Sequence, residues 1–140
     1  MRIADARRTR IELVANNEVI LCVDDEEKSL SLRKPVLEKA GYVVITAASA
    51  TQALDVLSSR KIDLLLTDYL MPGLTGTELA RAAKNICPEL PVIILSGITE
   101  LPPDMEHVDL FVSKLEGPQS MCEKVAAMLS GYRKERSDSG

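Results

Sequence analysis

The stretch LLLTDYLMPGLTGTEL, residues 64–79, decides the fold. With Ile62 and Asp63 before it, the run through Thr67 (IDLLLT) reads as a buried strand, and it ends at Asp68. Pro72-Gly73 then marks a turn. Thr75 with Glu78 three residues on forms a capping box, in which hydroxyl and carboxylate satisfy backbone N–H groups left open at a helix start. Leu79, Ala82, Ala83 and Ile86 continue at helical spacing. A buried strand, a polar terminus, a turn and an amphipathic helix follow one another within some twenty-five residues.

The same grammar recurs on both sides. Upstream, VILCV (19–23) is a strand stopped by Asp24-Asp25-Glu26-Glu27, and a helical segment runs to Ala40, with Leu30, Val36, Leu37 and Ala40 as its buried candidates. Pro35 should kink that helix or restrict its regular part, and Gly41 ends it. YVVIT (42–46) reads as a second strand, followed by a Ser49/Gln52 capping box and by Ala53, Leu54 and Leu57 at helical spacing. Downstream, PVIIL (91–95) ends at Ser96-Gly97 and DLFVS (109–113) ends at Lys114. Gly117-Pro118 opens a last helix with Met121, Cys122, Val125, Met128 and Leu129 on one face. That stripe reads as core. Strands alternating with helices predict an α/β fold with right-handed crossovers and a five-stranded parallel sheet. Continuous apolar strands agree, because central parallel strands are buried on both faces.

Composition bounds the function. The chain has 140 residues, enough for one domain with a real core. It is 46% hydrophobic and 27% charged, ordinary globular values. No apolar run reaches bilayer length, and the arginine-bearing N-terminus lacks the apolar stretch of a signal peptide, so a cytoplasmic protein with no membrane partner is expected. A net charge of −4 argues against direct nucleic-acid binding. The basic residues at the two ends (Arg2, Arg7, Arg8 and Arg10; Arg133, Lys134 and Arg136) read as solvated tails. Cys22, Cys87 and Cys122 have no metal-ligand spacing and read as reduced thiols, and the one histidine, His107, as a surface residue.

Position carries the functional reading. In open parallel α/β sheets, ligands bind beyond the carboxyl ends of the strands. Four strand ends carry Asp24-Asp25, Asp68, Ser96 and Lys114, and a 2-1-3-4-5 order brings them side by side. Clustered carboxylates repel, and a divalent cation relieves them. All-oxygen ligands suit Mg²⁺, which often shares its site with phosphate. A carboxylate between metal and lysine can attack phosphorus and give an aspartyl phosphate, with a serine hydroxyl to bond a phosphoryl oxygen. Singly, each group has a plainer reading: helix-start acids, a turn aspartate, a surface lysine, a Ser-Gly turn. Their joint placement favours a site.

Four segments, VILCVDDEE (19–27), LLLTDYLMPGLTGTEL (64–79), VIILSG (92–97) and FVSK (111–114), resemble in this order the response-regulator receiver domain of two-component signal transduction, of which the chemotaxis regulator is the single-domain type. The resemblance covers Val19 to Leu129 and implies a doubly wound flavodoxin-like (βα)5 fold. It implies residues 1–17 as an N-terminal extension, 18–130 as the receiver domain and 131–140 as a C-terminal tail. It implies Asp68 as phosphoacceptor; Asp25, Asp68 and the Leu70 backbone carbonyl as Mg²⁺ ligands; Asp24 as a ligand through water; Lys114 and Ser96 on the phosphate; and Ser96 with Phe111 as the switch pair. For Phe111, the only phenylalanine, simple core packing is an equal reading. The implied partners are a sensor histidine kinase or phosphotransfer protein and a downstream protein target, with the chain a monomer or weak dimer and catalysing only its own phosphoryl transfer and slow autodephosphorylation.

Three departures stand out. Pro102-Pro103 cannot sit inside a regular helix, so the fourth of the five helices, between the last two strands, is predicted shortened or lost, and the dimer face usually built there is not carried over. Leu115 replaces the usual proline after Lys114, so a cis bond is not expected. Leu70 and Ile98, two residues after Asp68 and Ser96, are apolar and cannot orient an attacking water, which predicts slow loss of phosphate. The rival readings are a phosphorylation-independent binding module, a Mg²⁺-dependent aspartyl phosphatase and a flavin protein. Leu70 stands where such a phosphatase carries its second aspartate, and no Ser/Thr-rich loop follows the first strand to cradle a flavin phosphate.

Overall fold

The computed structural model describes the backbone of residues 18–97 and 104–139, and side chains as far as Gly131. The N-terminal extension, Ile98 and Pro102-Pro103 lie outside the described residues. The order of elements is β1 (Val19–Val23), α1 (Glu27–Lys39), β2 (Val43–Ala47), α2 (Ala50–Ser59), β3 (Leu64–Asp68), α3 (Gly76–Ile86), β4 (Val92–Ser96), β5 (Leu110–Ser113), a 3-10 turn (Lys114–Glu116) and α4 (Gly117–Ser139). All strand pairs are parallel, in the order β2-β1-β3-β4-β5. This is the doubly wound arrangement expected from the alternation of segments.

The side-chain alternation of the strands divides the core into two layers. Leu21, Val23, Leu65, Val92 and Ile94 face α2 and α3, meeting Ala53, Leu57, Leu79 and Ala83. Ile20, Cys22, Leu64, Leu66, Ile93 and Val112 face α1 and α4, meeting Leu30, Leu37, Met121, Val125 and Leu129. Strands β3 and β4 are buried at every residue, as their continuous apolar runs require. The edge strand β2 mixes exposed, half-buried and buried positions, with Val43 and Thr46 open to solvent.

Several expectations shift. Strands β3 and β4 each end one residue later than their apolar runs, because Asp68 and Ser96 are still paired across the sheet, with Leu95 and Ser113. Helix α1 continues through Pro35. Ala40 is its C-cap and is exposed, so it leaves the buried set. The buried stripe of α3 runs through Gly76, Thr77, Leu79, Ala80 and Ala83, while Ile86 turns outward. The Thr75/Glu78 box forms in both directions. At α2 the Ser49 hydroxyl accepts from the Gln52 N–H, but Gln52 reaches back to the N–H of Ala48 rather than that of Ser49. Between β4 and β5, the described residues 97 and 104–109 form no helix. Helix α4 runs on to Ser139.

Candidate functional site

The carboxyl ends of β1, β3, β4 and β5 bring the expected residues into one place. Oxygens of Asp24, Asp25 and Asp68 lie within 4.8 Å of one another. Asp24 and Asp68 are buried, at 1% and 6% exposure, and Asp25 faces solvent. Lys114, first residue of the 3-10 turn, reaches across β4, and its Nζ contacts Asp68 Oδ1 directly and lies 4.0 Å from Asp24 Oδ2. Ser96 closes β4 and is buried. Phe111 pairs with Ile94 and is partly buried against the α2/α3 layer. Leu70 stands on the loop after β3, 60% exposed.

Local structure fixes these side chains. Asp24 Oδ1 accepts from the Glu26 N–H at 2.9 Å, which orients the carboxylate at the entry to α1. The loop after Asp68 folds back so that the Gly76 N–H donates to the Tyr69 carbonyl at 2.7 Å. A Cβ on Gly76 would stand 2.5 Å from the Asp68 carbonyl oxygen and 3.0 Å from Tyr69 Cα, so only glycine lets α3 start this close to the site. Gly117, at φ +87°, releases the 3-10 turn into α4 from a backbone region that favours glycine. Among the described residues no peptide bond is cis, so Leu115 follows Lys114 through a trans bond.

The electrostatics follow from burial. Burial raises the Asp68 carboxyl above its ordinary range; the hydrogen bond and charge of Lys114 pull it down, and the Asp24 charge pushes it up. Asp24 Oδ2 is buried with no aligned hydrogen-bond donor among the described residues. A buried, crowded carboxylate oxygen of this kind fits a hard cation, and three carboxylates converging from two strand ends supply the oxygen ligands that Mg²⁺ takes. The residues present therefore fit such an ion.

Three features escaped the sequence reading. Arg33 comes from α1, with Nη2 2.9 Å from Asp24 Oδ2 and a side chain only 12% exposed. Its spacing from Leu30 and Leu37, three and four residues, put it on the buried stripe. Burial pushes the neighbouring Cys22 thiol up, and Arg33 pulls it the other way. Gly76 is the second feature. The third is a polar tie in which the Thr77 hydroxyl donates to Asp104 Oδ2 at 2.6 Å and shares a 3.0 Å hydrogen bond with Thr75, linking the start of α3 to the segment before β5. Nothing in the local pattern around Asp104 signals that pairing.

A sequence profile for the response regulator receiver domain matches residues 20–126. The sporulation initiation phosphotransferase F of Bacillus subtilis is 37% identical over 94 residues, covering 67% of this chain and 76% of that protein. The phosphate regulon transcriptional regulatory protein PhoB of Pseudomonas aeruginosa is 31% identical over 118 residues, covering 80% of this chain. The match spans 52% of PhoB, so about half of that protein has no counterpart in it. Among solved structures, a CheY-like receiver domain protein from Methanospirillum hungatei aligns with TM-score 0.79 at 30% identity, over 85% of this chain and 98% of the other. The response regulator TrrA of Thermotoga maritima, solved in complex with Mg²⁺–BeF, aligns with TM-score 0.75 at 29% identity, over 79% of this chain and 98% of the other. Among the described residues, no helix is long and apolar enough to cross a membrane. By fold, by the placement of its acidic cluster and lysine, and by sequence, this chain belongs to the receiver domain family of response regulators in two-component systems.

Proposed function

We propose that the chain accepts a phosphoryl group on Asp68 from a phosphohistidine of a sensor kinase or phosphotransfer protein and signals through protein–protein contact. The observation that carries this reading is the direct Lys114–Asp68 contact beside two further carboxylates. A carboxylate oxygen of Asp68 attacks phosphorus, the P–N bond breaks, and the donor imidazole leaves with its electron pair. Lys114 lies on the phosphoacceptor side and compensates negative charge on the transferring group. Asp25, Asp68 and the Leu70 carbonyl would hold Mg²⁺, with Asp24 through water, and the ion supplies charge neutralisation on the phosphoryl oxygens. Ser96, buried at the end of β4, hydrogen-bonds a phosphoryl oxygen once the group is present, and Phe111 follows it inward from its partly buried position.

The added charge of close to two units shifts an existing equilibrium between two states, as far as the phosphate interacts differently with them. The relative named a phosphotransferase and the neighbour solved with Mg²⁺–BeF support this chemistry. Leu70, apolar and exposed at the mouth, offers an attacking water no hydrogen bond, so the phosphorylated form is long-lived; Ile98 shares that role from a position outside the described residues. No stoichiometric substrate is turned over beyond the domain's own phosphoryl group, and the protein acts in the cytoplasm as a monomer or weak dimer.

The test is intact mass after incubation with a small phosphodonor, with and without Mg²⁺, beside Asp68→Asn. A Mg²⁺-dependent phosphoryl adduct absent from the variant is expected. No adduct, with no Mg²⁺ binding, would leave a phosphorylation-independent binding module.

A further inference from the structure

Three carboxylates at the site face two side-chain cations, Lys114 and Arg33. The two cations are placed differently. Lys114 enters from the open side, a third exposed, and its short contact is with Asp68. Arg33 comes from beneath, on the buried stripe of α1, beside the Cys22 thiol, and its Nη2 lies 2.9 Å from the oxygen of Asp24 that no aligned donor satisfies. Its Nη1 is buried with no hydrogen-bond partner among the described residues. A guanidinium has five N–H donors in a fixed fork, and a well-used one is bidentate on its carboxylate. Toward Asp24, Nη2 makes a charge contact outside hydrogen-bond alignment, and Nη1 has no hydrogen-bond partner among the described residues. Such a pair holds its charge in place without strong hydrogen bonds, which is the arrangement of a counter-ion that another cation can displace.

We infer that Arg33 is an internal counter-ion of the acidic site, one that neutralises Asp24 when no metal is bound and competes with the divalent cation for it. The inference rests on the reading of the acidic cluster as a Mg²⁺ site and adds what sets its affinity. Two like charges cannot share one carboxylate oxygen at close range without mutual repulsion. Entry of a divalent cation at Asp24, directly or through water, therefore drives the guanidinium from Oδ2. There is room for it: a groove of about 350 Å³ between α1 and α4 is lined by Arg33 itself with Val36, Leu95, Lys114 and Met121. Arg33 is thus a positioning residue. It keeps the metal-free site from unfolding under its own charge, at the expense of metal affinity, and it links occupancy of the site to the packing between α1 and α4.

The test is a Mg²⁺ titration by calorimetry on wild type, Arg33→Met and Arg33→Lys, with melting of each in chelator and in saturating Mg²⁺. Arg33→Met should bind Mg²⁺ roughly tenfold more tightly than wild type, melt lower than wild type in chelator, and gain more on adding Mg²⁺. Arg33→Lys, which keeps the charge, should stay near wild type in affinity. A residue with only a packing role would lower the melting point without tightening Mg²⁺ binding. Equal or weaker binding by Arg33→Met overturns the inference while leaving the metal site standing; no binding by wild type or variant sinks both. Should Arg33→Met fail to fold, the ¹⁵Nε resonance of Arg33 in the wild-type protein decides. It should shift with Mg²⁺ at the same midpoint as the Asp24 and Asp25 amides, and an unmoved resonance overturns the inference.

Discussion

At Asp68 the ionised carboxylate bears the burial that raises its pKa, and Lys114 offsets only part of that penalty. A carboxyl whose folded-state pKa lies above its unfolded value costs the native state stability wherever it is ionised, and the cost fades as pH falls through the raised value towards the ordinary carboxylate range. Asp68→Asn should therefore melt a few degrees higher than wild type in chelator at neutral pH. That advantage should shrink on acidification and reverse in saturating Mg²⁺, which stabilises only the protein that binds it. Leu70 bears on a rate rather than on stability. Being 60% exposed, it tolerates replacement, and Leu70→Asn, alone or with Ile98→Glu, should speed loss of phosphate from the purified phosphoprotein without lowering its melting temperature. Unchanged kinetics would remove these two residues from the control of lifetime.

The elements show where the sequence is legible. The central strands were visible because burial on both faces demands an unbroken apolar run, and the starts of α2 and α3 because caps have a local chemistry. Boundaries moved by a residue because a polar group such as Asp68 or Ser96 can still pair in the ladder while serving the site. Arg33 was passed over because a charge in a helix is read as solvated, even though its spacing from Leu30 and Leu37 put it inward. Gly76 was passed over for a different reason: its need for a bare Cα arises from a backbone eight residues earlier, across a turn, which no periodicity records. Gly76→Ala makes the point measurable. The methyl group would meet the Asp68 carbonyl, so the start of α3 must lift away. A loss of roughly 2 kcal/mol in denaturant unfolding is expected, with a lower phosphorylation rate because the loop bearing Tyr69 and Leu70 moves with it.

Across the whole molecule, the fold gathers acidic groups at one end of the sheet and covers both faces with apolar layers. Stability should therefore depend on divalent cation as a ligand effect, with the melting temperature rising with the logarithm of Mg²⁺ concentration. Asp25 separates that effect from ordinary packing, because it is exposed and lies at the site. Asp25→Asn should melt within a degree or so of wild type in chelator and lose most of the rise with Mg²⁺. An undiminished rise would mean that the ion binds elsewhere.

Strand β3 is flanked by β1 and β4, and the amide after Asp68, that of Tyr69, donates to the Leu95 carbonyl at 3.0 Å. Edge strands and short segments breathe by small openings, whereas a strand paired on both sides and roofed on both faces opens only with the whole domain. Hydrogen exchange at the β3 amides should accordingly run at the global limit, with β2 and β5 faster. A phosphoryl bond at Asp68, as proposed, would then sit on the slowest-breathing part of the described chain. Its persistence would be a matter of water reaching the phosphorus and not of the protein fraying around it, and the memory of a signal would outlast many local openings elsewhere in the molecule.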